Sequence, residues 1–174
     1  MVLFLFLLLQ SHNLGDQKEP SGKCGTNVTW SLDNSTNKIT FSGSGEMENY
    51  SFFKVSPWYA YRYLIKSSTI EKNVTSIGNF AFFYCSYLTS ITIPNSVISI
   101  GASAFYYCTN LTDIDIPDSI NSIGNFAFYF CTSLTSIDIP SSVISINDNA
   151  FCFCGGLTHI NIPNSVTSIG KYLF

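Results

Sequence analysis

The chain has 174 residues, 46% of them hydrophobic, 16% aromatic and 11% charged, with a formal net charge of −3; that composition suits one folded domain and excludes disorder. The charge is unevenly placed, because seven of the eight Lys and Arg residues precede residue 73 while residues 74–170 hold five Asp and no Lys, Arg or Glu. A nucleic-acid interface needs cations to displace counterions from phosphates, so that class of partner is excluded.

The first element in chain order is the apolar run Val2–Leu9. It is too short to span a bilayer and fits the apolar region of a secretory signal, which places a signal at residues 1–15. No Lys or Arg precedes the run and no clear small-residue cleavage pattern follows it, so a mis-started chain is the competing explanation. No later segment is long and apolar enough for a transmembrane helix.

Residues 16–72 read as a β-rich cap. The stretch NVTWSLDNSTNKITF predicts two strands joined by a polar turn, and KITFSGSG alternates before breaking at its glycines. Trp30 and Trp58 are available to cover one end of an apolar core. Glycosylation sequons occur at Asn27, Asn34, Asn49, Asn73 and Asn110; in a chain this rich in Asn, Ser and Thr they do not by themselves establish secretion.

From residue 73 to 174 the chain repeats itself every 23 residues, the last unit being incomplete. Phe82, Phe105, Phe128 and Phe151 keep that step, as do the columns beginning with Cys85, Leu88 and Pro94. Ile77, Ile100, Ile123, Ile146 and Ile169 extend the series, with Gly78, Gly101, Gly124 and Gly170 one place later and Asn147 in the remaining glycine slot. Since Asn also tolerates left-handed backbone, the exchange is expected to keep a left-handed turn there.

Within one unit, Leu111-Thr-Asp-Ile114-Asp-Ile116-Pro117 alternates like a half-buried strand that Pro117 ends. Ile120 and Ile123 return to the core, and Gly124 permits a bend. The next apolar residues, Ala127, Phe128, Cys131 and Leu134, fall three or four apart, which predicts a short helix or helix-like turn packed on the strands. No unit can bury its apolar side alone, so the units must stack as a solenoid. The chain stops at Phe174, before the next cysteine, which predicts an open apolar end.

The phrase A-F-x-x-C-x-x-L-T-S-I-x-I-P-x-S-V-x-S-I-G, read from residue 81, resembles the BspA-like leucine-rich repeats. The resemblance covers about residues 74–174, and the segment from Cys24 to Tyr59 is similar to what often precedes such repeats. It implies an α/β-type repeat solenoid, with mostly short parallel strands and short helical or helix-like turns after a β-rich N-terminal cap. The family occurs on cell surfaces of bacteria and of anaerobic protozoan parasites. Its implied role is adhesion through matrix proteins or other cells.

The cysteine columns invite a chemical reading. Cys85, Cys108, Cys131 and Cys154 should form a ladder of inward thiols behaving as small hydrophobes, although some disulfide stays open. A metal fits poorly, because no Cys-x-x-Cys is present. Cys24 and Cys152 stand outside the column, and their fate is left open. Asp113, Ser136 and His159 share one register position, but Ser136 lies between the other two. A histidine relay needs the imidazole in the middle, so no hydrolase triad is read. No phosphate-binding glycine loop follows a strand either. The chain reads as a non-enzyme without a cofactor.

Two surfaces remain as candidate binding sites. The outward strand positions Ser90, Thr92, Asp113, Asp115, Ser136, Asp138, His159 and Asn161 are expected to line the concave sheet. Asp115 and Asp138 would be cross-strand neighbours whose like charges repel unless solvent, a basic segment or a cation offsets them. The alternative surface is aromatic: Phe83, Tyr106, Tyr107 and Tyr129, with Tyr84, Phe130 and Phe153 beside them, unless these rings pack between coils. The expected function is a secreted or surface-displayed protein-binding module. An intracellular repeat scaffold, or a truncated family copy with no independent role, is the alternative.

Overall fold

The computed structural model describes residues 19–174. The signal expected at residues 1–15 lies outside the described residues. Three strands open the fold: β1 (Ser21–Lys23), β2 (Asn27–Asp33) and β3 (Lys38–Glu46). They pair antiparallel, with Trp30 opposite Phe41 and Leu32 opposite Ile39. Val28, Trp30, Leu32, Ile39 and Phe41 are buried while their polar neighbours face out, the period-two pattern of a sheet covered on one side. Asp33 shapes the polar turn between β2 and β3: its carboxylate accepts from the Ser35 and Thr36 hydroxyls and from both backbone N–H groups. Those donors, the Ser35 hydroxyl first, hold its pKa well below the usual carboxylate range.

The repeats continue the same sheet. β4 (Ser67–Ile70) adds parallel to β3, β5 (Val74–Ser76) pairs with the far end of β3, and β6 (Ser90–Thr92) adds parallel to β4. Further along lie β7 (Ser99–Ile100), β8 (Ser122–Ile123), β9 (Ser136–Asp138), β10 (Ser145–Ile146), β11 (His159–Asn161) and β12 (Ser168–Ile169). β7, β8, β10 and β12 form a parallel sheet along a second side, and β9 pairs with β11. Partners such as Ser67 and Ser90, or Ser122 and Ser145, are one repeat apart, so each repeat is one coil of a solenoid.

The core is a set of columns. Phe82, Phe105, Phe128 and Phe151 stack face to face with centroids 5.2, 5.2 and 5.3 Å apart and planes within 6°. Phe41 closes this column from the cap side, edge-on to Phe82 at 5.7 Å. Trp58 is wholly buried between Phe41 and Tyr50 and donates from Nε1 to the Ala81 carbonyl at 2.7 Å. The cap is thus fastened to the first repeat by an indole.

Two local expectations are corrected, and a third is narrowed to one of its alternatives. The segment expected as a short helix or helix-like turn takes the second form, a run of turns; among the described residues the one helix is a 3-10 turn at Tyr59–Tyr61. Its backbone N–H groups divide by alternation. Those of Phe80, Phe82 and Tyr84 donate to Ala102, Ala104 and Tyr106 on the next coil, and those of Ala81, Phe83 and Cys85 donate back to Gly78, Phe80 and Phe82. Cross-coil bonding wins over the helix because a helix would spend every N–H within its own coil.

The repeating glycines are not left-handed. Positive φ falls on Gly43 and Gly45 among the glycines, and in the repeats on bulky residues, including Phe80, Tyr84, Tyr107, Phe126 and Phe130. Gly101 and Gly124 are needed for close approach: a Cβ on Gly124 would lie 2.6 Å from the Ala102 nitrogen and 2.7 Å from the Gly101 carbonyl carbon. Asn147 in the same column keeps no left-handed turn.

Finally, the strand expected at Leu111–Ile116 is not formed. Residues 113–116 make no ladder bonds, although Ser90–Thr92 before them and Ser136–Asp138 after them are strands. Asp115 stands one 23-residue step before Asp138, and like charges at matching positions oppose close pairing.

Candidate functional site

Alternation in the strand column sends Ile91, Ile114, Ile137 and Ile160 inward and their neighbours outward. Ser90, Thr92, Asp113, Asp115, Ser136, Asp138, His159 and Asn161 are all exposed. The register sets Ser136 beside His159 and Asp138 beside Asn161. Below this face Thr89, Thr135 and Thr158 each donate a hydroxyl hydrogen bond to the carbonyl one coil earlier, on Lys66, Thr112 and Thr135. The hydroxyls thereby stiffen the edge of the face and keep their donors off solvent.

The face is longer than the sequence reading allowed. Lys38 aligns with Ser67 and Ser90, and Thr40 with Thr69 and Thr92, so two rows of polar residues run from the cap into the repeats. The missed signal was the stretch Ser67-Ser68-Thr69-Ile70, which keeps the 23-residue step without the usual isoleucine. Ser68 stands where Ile91 stands in the next coil; it is buried, and its hydroxyl has no partner.

The aromatic surface is only partly a surface. Phe83 is buried, 7% exposed, among Phe80, Tyr84 and Tyr106, which corrects its place among candidate contact residues. Tyr106 stacks on Tyr129 at 4.7 Å and Tyr107 on Phe130 at 4.5 Å, with planes 10° and 1° apart. Their faces are used between coils and their edges show. Burial raises the pKa of Tyr84 and Tyr106, and neighbouring tyrosines add to it. Phe153 is the exposed member, at 58%.

Every cysteine among the described residues is a free thiol. Cys108, Cys131 and Cys154 donate from Sγ to the carbonyls of Phe82, Phe105 and Phe128 at 3.2, 3.2 and 3.0 Å. Burial pushes the Cys85 thiol up to about 12 and those of Cys108 and Cys131 well above the usual range. Such thiols are neither nucleophiles nor metal ligands at neutral pH. Cys24 is buried in the cap and also pushed up to about 12, by burial and then by Glu48. Cys152 is half-buried and borders a cleft of about 810 Å3 against the last coil, with Phe151, Leu157, Tyr172 and Phe174. Among the described residues no group of three His, Cys, Asp or Glu is placed to hold a metal, and no helix is long and apolar enough to cross a membrane.

Comparison with known proteins agrees with this geometry. Residues 55–174 match the model of the BspA type leucine rich repeat region in six copies. No curated protein matches the chain. Among solved structures it resembles a T. pallidum leucine-rich repeat protein at 22% identity, covering 88% of this chain and 86% of that one with a TM-score of 0.56. A leucine-rich repeat protein of Eubacterium ventriosum matches at 19% identity, with a TM-score of 0.55 over 88% of this chain and 68% of the other. These two likenesses concern the fold. A leucine rich cell surface protein of Faecalibacterium prausnitzii is 27% identical with a TM-score of 0.51, over 91% of this chain and 53% of its own.

Proposed function

The chain belongs to the BspA-type leucine-rich repeat family, and on that premise we propose that it is a non-enzymatic adhesion module, secreted or displayed at a cell surface, that binds matrix or cell-surface proteins through its strand face. The observation that carries this reading is that Ser90, Thr92, Asp113, Asp115, Ser136, Asp138, His159 and Asn161, which recur at the 23-residue step, are all exposed. Short hydroxyl and carboxylate side chains lose little entropy on binding, and the fixed neighbours on the strands Ser90–Thr92, Ser136–Asp138 and His159–Asn161 give a partner a defined pattern to match. Three carboxylates with no cation in residues 74–170 favour a basic protein segment. The resemblance to a leucine rich cell surface protein supports display outside the cell.

The test is binding of the folded chain to immobilised matrix proteins and whole cells. Asp115→Ala with Asp138→Ala weakens a basic partner by roughly tenfold and flattens its salt dependence. Absence of binding to any of them, or binding unchanged by the pair, sinks the reading. The second reading is an intracellular repeat scaffold, and the free thiols favour it, since oxidising compartments permit disulfides. N-terminal sequencing of the native protein separates the two: a processed start supports export, and an intact Met1 in a cytosolic fraction supports the scaffold.

A further inference from the structure

The sequons at Asn27, Asn34, Asn49, Asn73 and Asn110 have no part in the strand-face reading. Each pairs an asparagine carboxamide with a hydroxyl two residues on, and all five asparagines are exposed. An amide nitrogen is a weak nucleophile, because its lone pair is delocalised into the carbonyl. A glycosyltransferase therefore has to hold the carboxamide and the hydroxyl together in its own site. In a folded chain, a sequon can serve only where both groups and the backbone between them are free.

Four of the sequons are engaged. Asn27 and Thr29 lie within β2, which pairs with β3 on one side and, at Thr29, with β1 on the other. In the Asn34 sequon the Thr36 hydroxyl donates to the Asp33 carboxylate at 2.6 Å. Asn49 accepts at Oδ1 from the Asn79 N–H at 2.8 Å, and the Ser51 hydroxyl of its sequon accepts from the Lys54 N–H at 3.1 Å. Asn73 accepts from the Gly45 N–H at 2.8 Å and leads into β5, where Thr75 is half-buried and accepts from the Ile98 N–H.

Asn110-Leu111-Thr112 is the exception. Tyr87, Ser133 and Gly156 occupy the matching place in the neighbouring coils, so this coil alone carries the asparagine. Thr89, Thr135 and Thr158 each fasten a backbone N–H and a hydroxyl to the carbonyl one coil earlier. Among the described residues Thr112, at the same step, makes neither bond, and the release continues through residues 113–116. Carboxamide, hydroxyl and backbone are thus free together at one sequon.

We propose that Asn110 carries an N-linked glycan, added to the folded chain from a sugar activated as a lipid-linked diphosphate; this rests on the export reading above. A bond forms between Asn110 Nδ2 and the anomeric carbon of the sugar. The bond from that carbon to the diphosphate oxygen breaks, the lipid diphosphate leaves with the bonding pair, and Nδ2 gives up one proton to a base of the transferase. Asn110 stands three residues before Asp113, so the glycan flanks the strand face at its acidic coil.

The test is peptide mass spectrometry of the native protein. Residues 74–170 contain no Lys or Arg, so trypsin does not cut there and chymotrypsin, which cuts after Tyr107, takes its place. The expected result is a glycopeptide over Asn110 that peptide N-glycosidase strips, with the other four sequons bare. Expressed in the native host, Asn110→Gln and Thr112→Val lose the glycan and Thr112→Ser keeps it. Both residues are exposed, so none of these changes moves the thermal melt of the deglycosylated chain. A bare Asn110 in a chain with a processed start overturns the proposal and leaves the export reading standing. A bare Asn110 in a chain that keeps Met1 in a cytosolic fraction removes both. Equal occupancy of all five sequons, as transfer before folding would give, overturns the proposal, and so does a glycan retained in Thr112→Val.

Discussion

Trp58 and Ala81 are joined by an indole-to-carbonyl hydrogen bond that spans one repeat of sequence and ties the cap to the first coil. Truncating the indole removes that bond and leaves a buried carbonyl without a partner. Trp58→Phe is expected to cost about 1–3 kcal/mol and Trp58→Ala about 3–5 kcal/mol. Urea denaturation followed by far-UV circular dichroism measures the loss, and near-UV spectra report whether the cap loosens first.

The buried thiols of Cys85, Cys108 and Cys131 set an alkaline limit on stability. A cysteine held protonated by burial binds more protons in the folded than in the unfolded state once the pH passes the free value of about 8.5. Its contribution is full below that pH and declines as pH rises toward the folded value, about 12 for Cys85. Each such thiol then lowers stability by up to about 1.4 kcal/mol per pH unit. Denaturation midpoints should fall between pH 9 and pH 10, and Cys108→Ala should make the fall shallower. An unchanged slope in that variant assigns the alkaline loss to other groups.

Ser68 is the weak member of the inward strand column. Its hydroxyl is buried without a partner where the next coil has Ile91. Ser68→Val removes the unsatisfied group and adds apolar volume at a β position. It is expected to stabilise the fold by about 1 kcal/mol, read as a higher urea midpoint with an unchanged slope. A destabilised variant means that the site has no room for the two methyl groups.

How much of this was legible in the sequence depended on which force set each residue. The core columns, Phe105, Cys108 and Leu111 among them, follow from burial, which repeats strictly and shows in the letters. The strand face follows from alternation, so Asp113 and His159 were placed outward before any coordinate. The turns at Phe80 to Cys85 were legible only as a short helix or a helix-like turn, because three- and four-residue spacing suits both a helix and successive turns whose alternate N–H groups reach the next coil. That choice depends on a neighbour 22 residues away, which a local pattern does not contain. Gly124 was credited with backbone freedom when it supplies closeness, for the same reason. The interruption at Asp113–Ile116 and the released hydroxyl of Thr112 break the pattern around them, and a reading built on repetition is least sensitive to departures from it.

The alternating N–H groups of the turn segment carry one more consequence, for how such a chain can change over time. Phe80 and Phe82 face the carbonyls of Ala102 and Ala104, while Ala81 and Phe83 face their own coil. A single residue gained or lost inside one coil would exchange every donor assignment from there to the next boundary. Duplication or deletion of a whole coil restores each donor to an acceptor of the same kind. Genetic drift in length is therefore counted in whole coils, much as a zip fastener can be extended only by complete teeth.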